Sequence, residues 1–193
     1  MEISTGNVSG GAEANPADGG MVLVRIETAF GAIDVAVDPV HAPIAAANFL
    51  RYADGGYYDG GRFHRTVTMD NQPNDAVRIE VIQAGINPDR LGDRFDPIPL
   101  ERTTLTGLAH RDGTISMARS TPDSAVSDFF ICIGDQPSLD FGGARNPDGQ
   151  GFAAFGQVLH GGDVVRAIQR APTEDQKLLP PIPIRTIRRV GPG

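Results

Sequence analysis

The chain has 193 residues, 40% of them hydrophobic, with 24 glycines, 15 prolines and a formal net charge of −7. This length suits one domain with a substantial core, and the many glycines and prolines favour a turn-rich β or α+β protein over a helical bundle. A balance this acidic argues against general nucleic-acid binding, which depends on clustered lysine and arginine. The single cysteine, Cys132, excludes an internal disulfide and a four-thiolate zinc site, and we interpret it as a buried structural thiol.

The first 20 residues hold few large apolar side chains and are rich in glycine, alanine, serine and asparagine. Such a segment cannot bury enough surface to offset the entropy of ordering it, so we predict a disordered leader at 1–20 and a single folded domain at 21–193. The chain does not open with a basic segment followed by an apolar one, and no apolar run reaches the roughly 18 residues that span a bilayer. We therefore expect a cytoplasmic protein, although a periplasmic or secreted mature form would have the same appearance.

Alternating apolar residues predict the strands in chain order. The first two, 22–26 and 32–37, form a hairpin, and further strands follow at 62–67, 77–84, 114–118, 129–132, 152–159 and 184–190. Pro43 suits the first turn of an amphipathic helix at 41–53, and a second helix covers 163–169. Long glycine- and proline-rich segments predict loops at 85–107, 134–151 and 171–183. Eight strands and two helices are typical of a mainly β protein, a closed antiparallel barrel capped by the helices.

The strand at 62–67 carries the first candidate functional residue. Strict alternation puts Arg65 on the same face as Phe63. An arginine beside a core-facing phenylalanine is unusual because an unpaired charge is costly to bury, so such a residue normally opens into a cleft. A snorkelling arginine at a sheet edge is the alternative.

The segment 113–132 places a polar loop between two strands. A rigid scaffold under a polar loop is a common place for a binding surface, and the alternative is a plain strand–loop–strand whose two phenylalanines both lie in the core. Alternation favours different roles for Phe129 and Phe130, because neighbours in a strand point to opposite faces. One groove lined by an arginine, an amide and a mostly apolar floor is then available, from Arg65, Gln83, Ala118, Phe130, Leu139 and Phe152. That set suits binding and polarising an amide better than breaking one.

Other chemistries have weaker support in the sequence. A serine hydrolase requires an aspartate and a serine–histidine pair drawn from Ser116, Ser120, His64 and His110, but the GxSxG motif is missing. The NPDG segment at 146–149 lacks the spaced carboxylates of a calcium-binding loop, and no nucleotide-binding glycine motif occurs. We therefore expect neither a metal nor a cofactor.

Six segments, taken in order, carry a resemblance to a known family. They are FHR at 63–65, IQAG at 82–85, GTISMAR at 113–119, SDFFICIG at 127–134, LDFGG at 139–143 and FAAFGQVLHGGDVV at 152–165. In this order and spacing they resemble the cyclophilin-type peptidyl-prolyl cis–trans isomerases over 22–190. The resemblance implies an eight-stranded antiparallel barrel closed by two helices, which rotates X–Pro bonds in peptides and folding proteins. It also implies a monomer that binds Pro-containing peptides and unfolded proteins, with no nucleic-acid or membrane partner.

The resemblance also assigns roles to single residues. Arg65 corresponds to the family's catalytic arginine, and Gln83 to the glutamine that contacts the bound peptide. The backbone of Ala118 and Arg119 corresponds to a pair that meets the peptide. The residues expected to bind substrate are Phe63, Val81, Met117, Ala118, Arg119, Phe130, Leu139 and Phe152.

The chain departs from the family pattern in several places. An insertion at about 68–78 follows the FHR strand. Four further residues stand where the family usually has a pocket aromatic, a glutamine, a tryptophan and a histidine or tyrosine: Glu80, Asp128, Ser138 and Phe152. Two interpretations of the function therefore remain open. The chain is an active isomerase, or it is a catalytically weak module that binds Pro-containing segments.

Overall fold

The computed structural model describes residues 19–191, so almost all of the predicted leader lies outside the described residues. The strands are β1 (Val22–Thr28), β2 (Gly31–Val37), β3 (Arg62–Val67), β4 (Val81–Gly85), β5 (Thr114–Met117), β6 (Phe129–Cys132), β7 (Ala153–His160), β8 (Thr173–Glu174) and β9 (Lys177–Arg189). The helices are α1 (Pro43–Asp54), α2 (Thr103–Thr106) and α3 (Gly162–Gln169), with 3₁₀ turns at Pro88–Asp93 and Pro137–Leu139.

The strands form one antiparallel sheet in the order β1-β2-β7-β5-β6-β4-β3-β9-β8, and β1 also pairs with β9. That last pairing closes the longer strands into an eight-stranded barrel, whereas the two-residue β8 only pairs with the start of β9. α1 packs against β7 and β9, and α3 packs against β2, β3 and β4. The predicted barrel with two capping helices is confirmed. No helix in the described part of the chain is long and apolar enough to cross a membrane.

Packed aromatic rings fill much of the space between α1 and the sheet. The ring of Phe129 lies edge-on to Phe49 of α1, with 5.4 Å between centroids, and to Phe63 of β3 at 6.0 Å. Tyr58 joins this group, and its buried hydroxyl donates to the carbonyl oxygen of Ser127 at 2.7 Å. The polar end of the ring is thereby satisfied, as burial requires. These contacts fix the loop that leads into β6.

The N-terminus of α1 is capped from a distant part of the chain. Pro43 supplies no N–H at the first turn. The next two N–H groups, of Ile44 and Ala45, donate to the carboxylate of Glu101 at 2.9 and 2.7 Å. A carboxylate here satisfies free donors and faces the positive end of the helix dipole. The segment 85–107 therefore has a structural role, and it is not the wholly irregular loop that we predicted.

Two strand limits differ from the sequence prediction. β4 begins at Val81 and not at 77, because the preceding residues are held by a side chain: the buried Gln72 bonds to both backbone groups of Ile79. The predicted loop at 171–183 instead contains β8 and the first part of β9. Pro180 and Pro181 are tolerated because the ladder to β3 skips from Lys177 to Ile182, so neither needs a partner there.

A β-bulge in β3 reverses the expected orientation of Arg65. Phe63 pairs with Ala84 and Arg65 pairs with Gln83, so His64 is an extra residue opposite one step of β4. Because Ala84 and Gln83 are consecutive, their partners point to opposite faces of the sheet. Phe63 is fully buried in the barrel core, and Arg65 points outward. The prediction that they share a face was wrong.

β6 separates two apolar clusters. Phe129 belongs to the main core and is fully buried, whereas Phe130 lies on the outer face and is 5% exposed. A smaller outer cluster surrounds Phe130 and consists of Val67, Ile79, Val81, Cys132 and Leu139, with Ala118 and Phe152 packed against it. The prediction that the two rings serve opposite faces is confirmed. Cys132 is buried as predicted, and burial raises the pKa of its thiol.

The two phenylalanines should differ in their contribution to stability. Phe129→Ala should lower the free energy of unfolding by about 3–5 kcal/mol, because it leaves a cavity in the closed core. Phe130→Ala should cost distinctly less, since its ring borders an open cleft and its removal leaves no closed cavity. Urea unfolding of both variants measures the difference. Equal losses, or a larger loss for Phe130→Ala, would contradict the assignment of the two clusters.

Candidate functional site

The outer cluster forms the floor of an open cleft of about 430 Å³. β3, β4 and β6 supply the floor and one wall, and the loops after β5 and before β7 supply the rest. The cleft brings together eight of the ten residues predicted for the site: Arg65, Val81, Gln83, Ala118, Arg119, Phe130, Leu139 and Phe152.

Two residues predicted at the substrate surface lie elsewhere. Phe63 and Met117 belong to the main core and are 0% and 1% exposed. The bulge turns Phe63 inward, as described above. Met117 shares the inner face of β5 with Ile115, since residues two apart in a strand point the same way. Neither side chain reaches the cleft.

Aromatic contacts shape the floor of the cleft. The ring of Phe130 meets Phe152 edge-on, with 5.4 Å between centroids, and stacks on His110 at 5.9 Å with an interplanar angle of 14°. The backbone N–H of Phe152 donates to the carbonyl oxygen of Leu139 at 3.0 Å, which holds these two floor residues together. The result is a small apolar surface with little freedom to rearrange.

Arg65 projects beside this floor, and two amide oxygens hold it. Its Nη1 donates to Oε1 of Gln83 at 3.0 Å, and its Nε and Nη2 donate to Oε1 of Gln176 at 2.9 and 2.7 Å. Partial burial lowers the pKa of Arg65, and the nearby positive charge of Arg145 lowers it further, against the opposing effect of Asp75. The group stays charged at neutral pH, because even a lowered arginine pKa lies far above 7.

Gln83 links Arg65 to a second polar pair. Its Nε2 donates to Oδ2 of Asp128 at 3.2 Å, and Nε2 of His64 lies 3.0 Å from the same oxygen. Asp128 reaches this position because residue 85 is glycine: a Cβ there would lie 2.5 Å from Oδ1 of Asp128. Asp128, which stands where the family usually has a glutamine, therefore helps to orient the side-chain amide of Gln83.

Arg119 also lines the cleft, but its side chain is already used. Its guanidinium donates to the carboxylate of Asp148 at 2.8 and 3.0 Å and to the carbonyl oxygen of Gly151 at 2.9 and 2.6 Å. It also lies over the ring of Phe152, 4.8 Å from the centroid. With its side chain 1% exposed, Arg119 fixes the loop before β7.

The inserted segment holds one of the side chains that line the cleft. Nη1 of Arg145, which lines the cleft, donates to the carbonyl oxygen of Val77 at 2.7 Å and to Oε1 of Gln72 at 3.0 Å. Glu80 points away from the cleft, because its carboxylate accepts a hydrogen bond from Gln169 of α3 at 2.6 Å. The glutamate that stands in place of a pocket aromatic thus does not put a charge on the floor.

A serine, a histidine and an aspartate meet beneath the floor. Nδ1 of His110 lies 2.7 Å from Oδ1 of Asp140, and Nε2 of His110 lies 2.9 Å from Oγ of Ser116. Partial burial by itself would raise the pKa of Asp140, but the hydrogen bonds from His110 outweigh it and the pKa is lowered. Ser116 is completely buried, so no substrate can reach its hydroxyl. The three residues support the ring of Phe130 and are not placed to attack an ester or amide.

Sequence reasoning missed Gln176 and did not anticipate the support from Asp128. Gln176 lies in a proline-rich segment that we predicted to be a loop, 111 residues from Arg65 in the chain. No local pattern marks such a contact. Among residues 19–191, no group of three or more histidine, cysteine, aspartate or glutamate side chains stands together so as to hold a metal ion.

The chain matches the family model described as cyclophilin type peptidyl-prolyl cis-trans isomerase/CLD over residues 23–189. It is 34% identical over 167 residues to a peptidyl-prolyl cis-trans isomerase of Acinetobacter baylyi, covering 86% of this chain and 81% of the relative. It is 30% identical over 168 residues to peptidyl-prolyl cis-trans isomerase cyp18 of Streptomyces antibioticus, covering 86% and 95%. A crystal structure of a Cryptosporidium parvum cyclophilin type isomerase, in the presence of dipeptide ala-pro, is similar with a TM-score of 0.66 at 24% identity, covering 88% of this chain and 99% of the other.

The buried serine should be inert. A serine-directed fluorophosphonate should leave the mass of the folded protein unchanged, because Ser116 is 0% exposed. Intact-mass spectrometry measures the labelling, with a serine hydrolase treated in parallel as a positive control. Stoichiometric labelling that disappears in Ser116→Ala would show instead that the hydroxyl is accessible and reactive.

Proposed function

The chain belongs to the cyclophilin-type peptidyl-prolyl cis–trans isomerase family, and we propose that Arg65 drives its reaction by stabilising the twisted X–Pro amide. One observation carries this proposal. A charged guanidinium, held by neutral amides only, stands next to an apolar floor in an open cleft. Its substrates are Pro-containing peptides and folding proteins.

The reaction sets an unusual demand on a catalyst. Rotation about a peptide bond faces a barrier of about 18–20 kcal/mol, because resonance gives the C–N bond double-bond character. The two X–Pro isomers differ by only about 0.5–1 kcal/mol, yet they interconvert over tens to hundreds of seconds. A catalyst must therefore stabilise the twisted amide more than either planar form, and it needs neither a nucleophile nor a metal to do so.

The floor of the cleft suits the proline ring. Phe130, Leu139 and Phe152 offer a small apolar surface, and Val81 borders it. A pyrrolidine ring placed on this surface is partly removed from water, as is the amide nitrogen attached to it. The structural relative from Cryptosporidium parvum, determined in the presence of an Ala-Pro dipeptide, supports a ligand of this size and kind.

Arg65 supplies the differential stabilisation. When the amide twists, the nitrogen lone pair is released from resonance and becomes a hydrogen-bond acceptor. A guanidinium has five N–H bonds, and three of those in Arg65 donate to glutamine oxygens, so two remain for the substrate. A lowered pKa makes the group a stronger donor, and a donor fixed in advance costs no reorganisation at the moment of reaction.

The remaining polar groups hold the peptide on either side of the proline. Gln83 is oriented by Arg65 and Asp128, and Ala118 and Arg119 line the same cleft. If the residues on one side of the X–Pro bond are held, only the other side can rotate. Binding energy is then used to restrict the direction of the rotation.

Removing the guanidinium should slow the reaction without unfolding the protein. Arg65→Ala should lower the isomerisation rate of an Ala-Pro peptide at least about tenfold, which corresponds to roughly 1.4 kcal/mol of barrier. NMR exchange spectroscopy measures the rate, and thermal unfolding checks the fold. Arg62→Ala is the matched control, because Arg62 lies on the same strand, is also half-buried and does not line the cleft. Full activity in Arg65→Ala would remove this residue from the mechanism, and a wild type that binds the peptide without accelerating exchange would favour the binding-module reading.

Loss of the floor should also abolish turnover. Phe130→Ala should remove most of the isomerase activity, because the ring that would support the pyrrolidine is gone while Arg65 remains. The same exchange measurement applies, with the substrate concentration varied to separate binding from rotation. A Phe130→Ala variant with wild-type kcat/KM would place the proline elsewhere in the cleft.

A further inference from the structure

We propose that Gln176 is a positioning residue for Arg65, and that the inserted segment at about 68–78 keeps Gln176 in place. This inference rests on the proposed function of Arg65. It assigns a role to a residue at the turn between β8 and β9 and to the insertion that follows β3.

The contact between the two side chains is specific in geometry. One oxygen of Gln176 accepts from both Nε and Nη2 of Arg65, at 2.9 and 2.7 Å. Gln83 accepts from Nη1 on the other side at 3.0 Å. Two acceptors at different edges of a planar group fix both its direction and its rotation about the Cδ–Nε bond. Removing the Gln176 oxygen would leave the guanidinium held at Nη1 alone.

Both acceptors are neutral amides. Within residues 19–191, no carboxylate lies within the 4.0 Å of an ion pair with Arg65, although Arg119 and Arg145 on the same cleft each have one. A carboxylate would hold the guanidinium as firmly, but it would also cancel the charge that the twisted amide needs. An amide orients the group and leaves its charge available.

The turn that carries Gln176 is itself anchored. The backbone carbonyl of Gln176 accepts from the N–H of Thr66 at 2.9 Å, and its Nε2 donates to the carbonyl oxygen of Asn71 at 3.1 Å. The side chain of Asn71 returns the contact, since its Nδ2 donates to the carbonyl oxygens of Thr66 and Asp175 at 3.0 and 3.2 Å. Asn71 belongs to the inserted segment. The inserted segment therefore holds the turn at Gln176, and the side chain of Gln176 holds the guanidinium of Arg65.

The test replaces Gln176 with a side chain of similar size that lacks the amide oxygen. Gln176→Met should lower kcat about tenfold, close to the effect of one orienting hydrogen bond, while KM stays within about twofold. Gln157→Met is the matched control, because Gln157 also makes side-chain hydrogen bonds but lies on β7 away from the cleft. Its kinetics should equal those of the wild type.

A double-mutant cycle separates positioning from a general structural effect. In an Arg65→Ala background, Gln176→Met should cause no further loss, because Gln176 acts through Arg65. The Hε–Nε NMR resonance of Arg65 should also shift in Gln176→Met. If Gln176→Met fails to fold, Asn71→Ala weakens the same brace from farther away and should lower kcat by a smaller factor.

The outcomes distinguish this inference from the proposed function. Loss of activity in Arg65→Ala with full kcat in Gln176→Met would overturn the positioning role alone. An equal loss from Gln176→Met with and without Arg65 would also overturn it, because the residue would then act by another route. Full activity in Arg65→Ala would overturn the proposed mechanism and the positioning role together.

Discussion

A closed barrel requires each strand to give one face to the core and the other to the exterior, and the cleft is built on that division. In β6, Phe129 packs inside the barrel and Phe130 forms the outer floor. In β3, the bulge at His64 sends Phe63 inward and Arg65 outward within three residues. The barrel core and the cleft floor are therefore built on the same strands. The floor is rigid because the interior behind it is closely packed. Neither surface can shift without disturbing the other.

Three of the arginines that line the cleft differ in their partners. Arg119 and Arg145 are paired with Asp148 and Asp75, and both pairs join segments that lie outside the strands. Arg65 contacts glutamine oxygens and carries its full charge into the cleft. Arg65 thus keeps its positive charge without a carboxylate partner among residues 19–191, in a protein whose net charge is −7. The two ion pairs have a structural role.

The sequence was sufficient for much of the fold and for most of the cleft. Alternation and turn residues predicted the hairpin of β1 and β2, the strand at 62–67 and the opposite faces of Phe129 and Phe130. Strict alternation failed at β3, because a bulge adds a single residue and leaves no mark in a pattern of period two. The prolines of β9 concealed a strand, because two of them, Pro180 and Pro181, lie where the ladder to β3 skips residues. Gln176 escaped notice because its partner is remote in the chain, and no local signal encodes a long-range contact.

The position of β9 in the chain has a consequence for folding. β9 pairs with β1 on one side and with β3 on the other, so it is the strand that closes the barrel. Before it docks, β1 and β3 are edge strands with rows of unpaired backbone groups, which are templates for association with other chains. The contact order of these pairings is high, and contacts of this kind form late and slowly. The last long strand of the barrel therefore protects two exposed edges at once, and the turn that leads into it brings Gln176 against Arg65 at the same step.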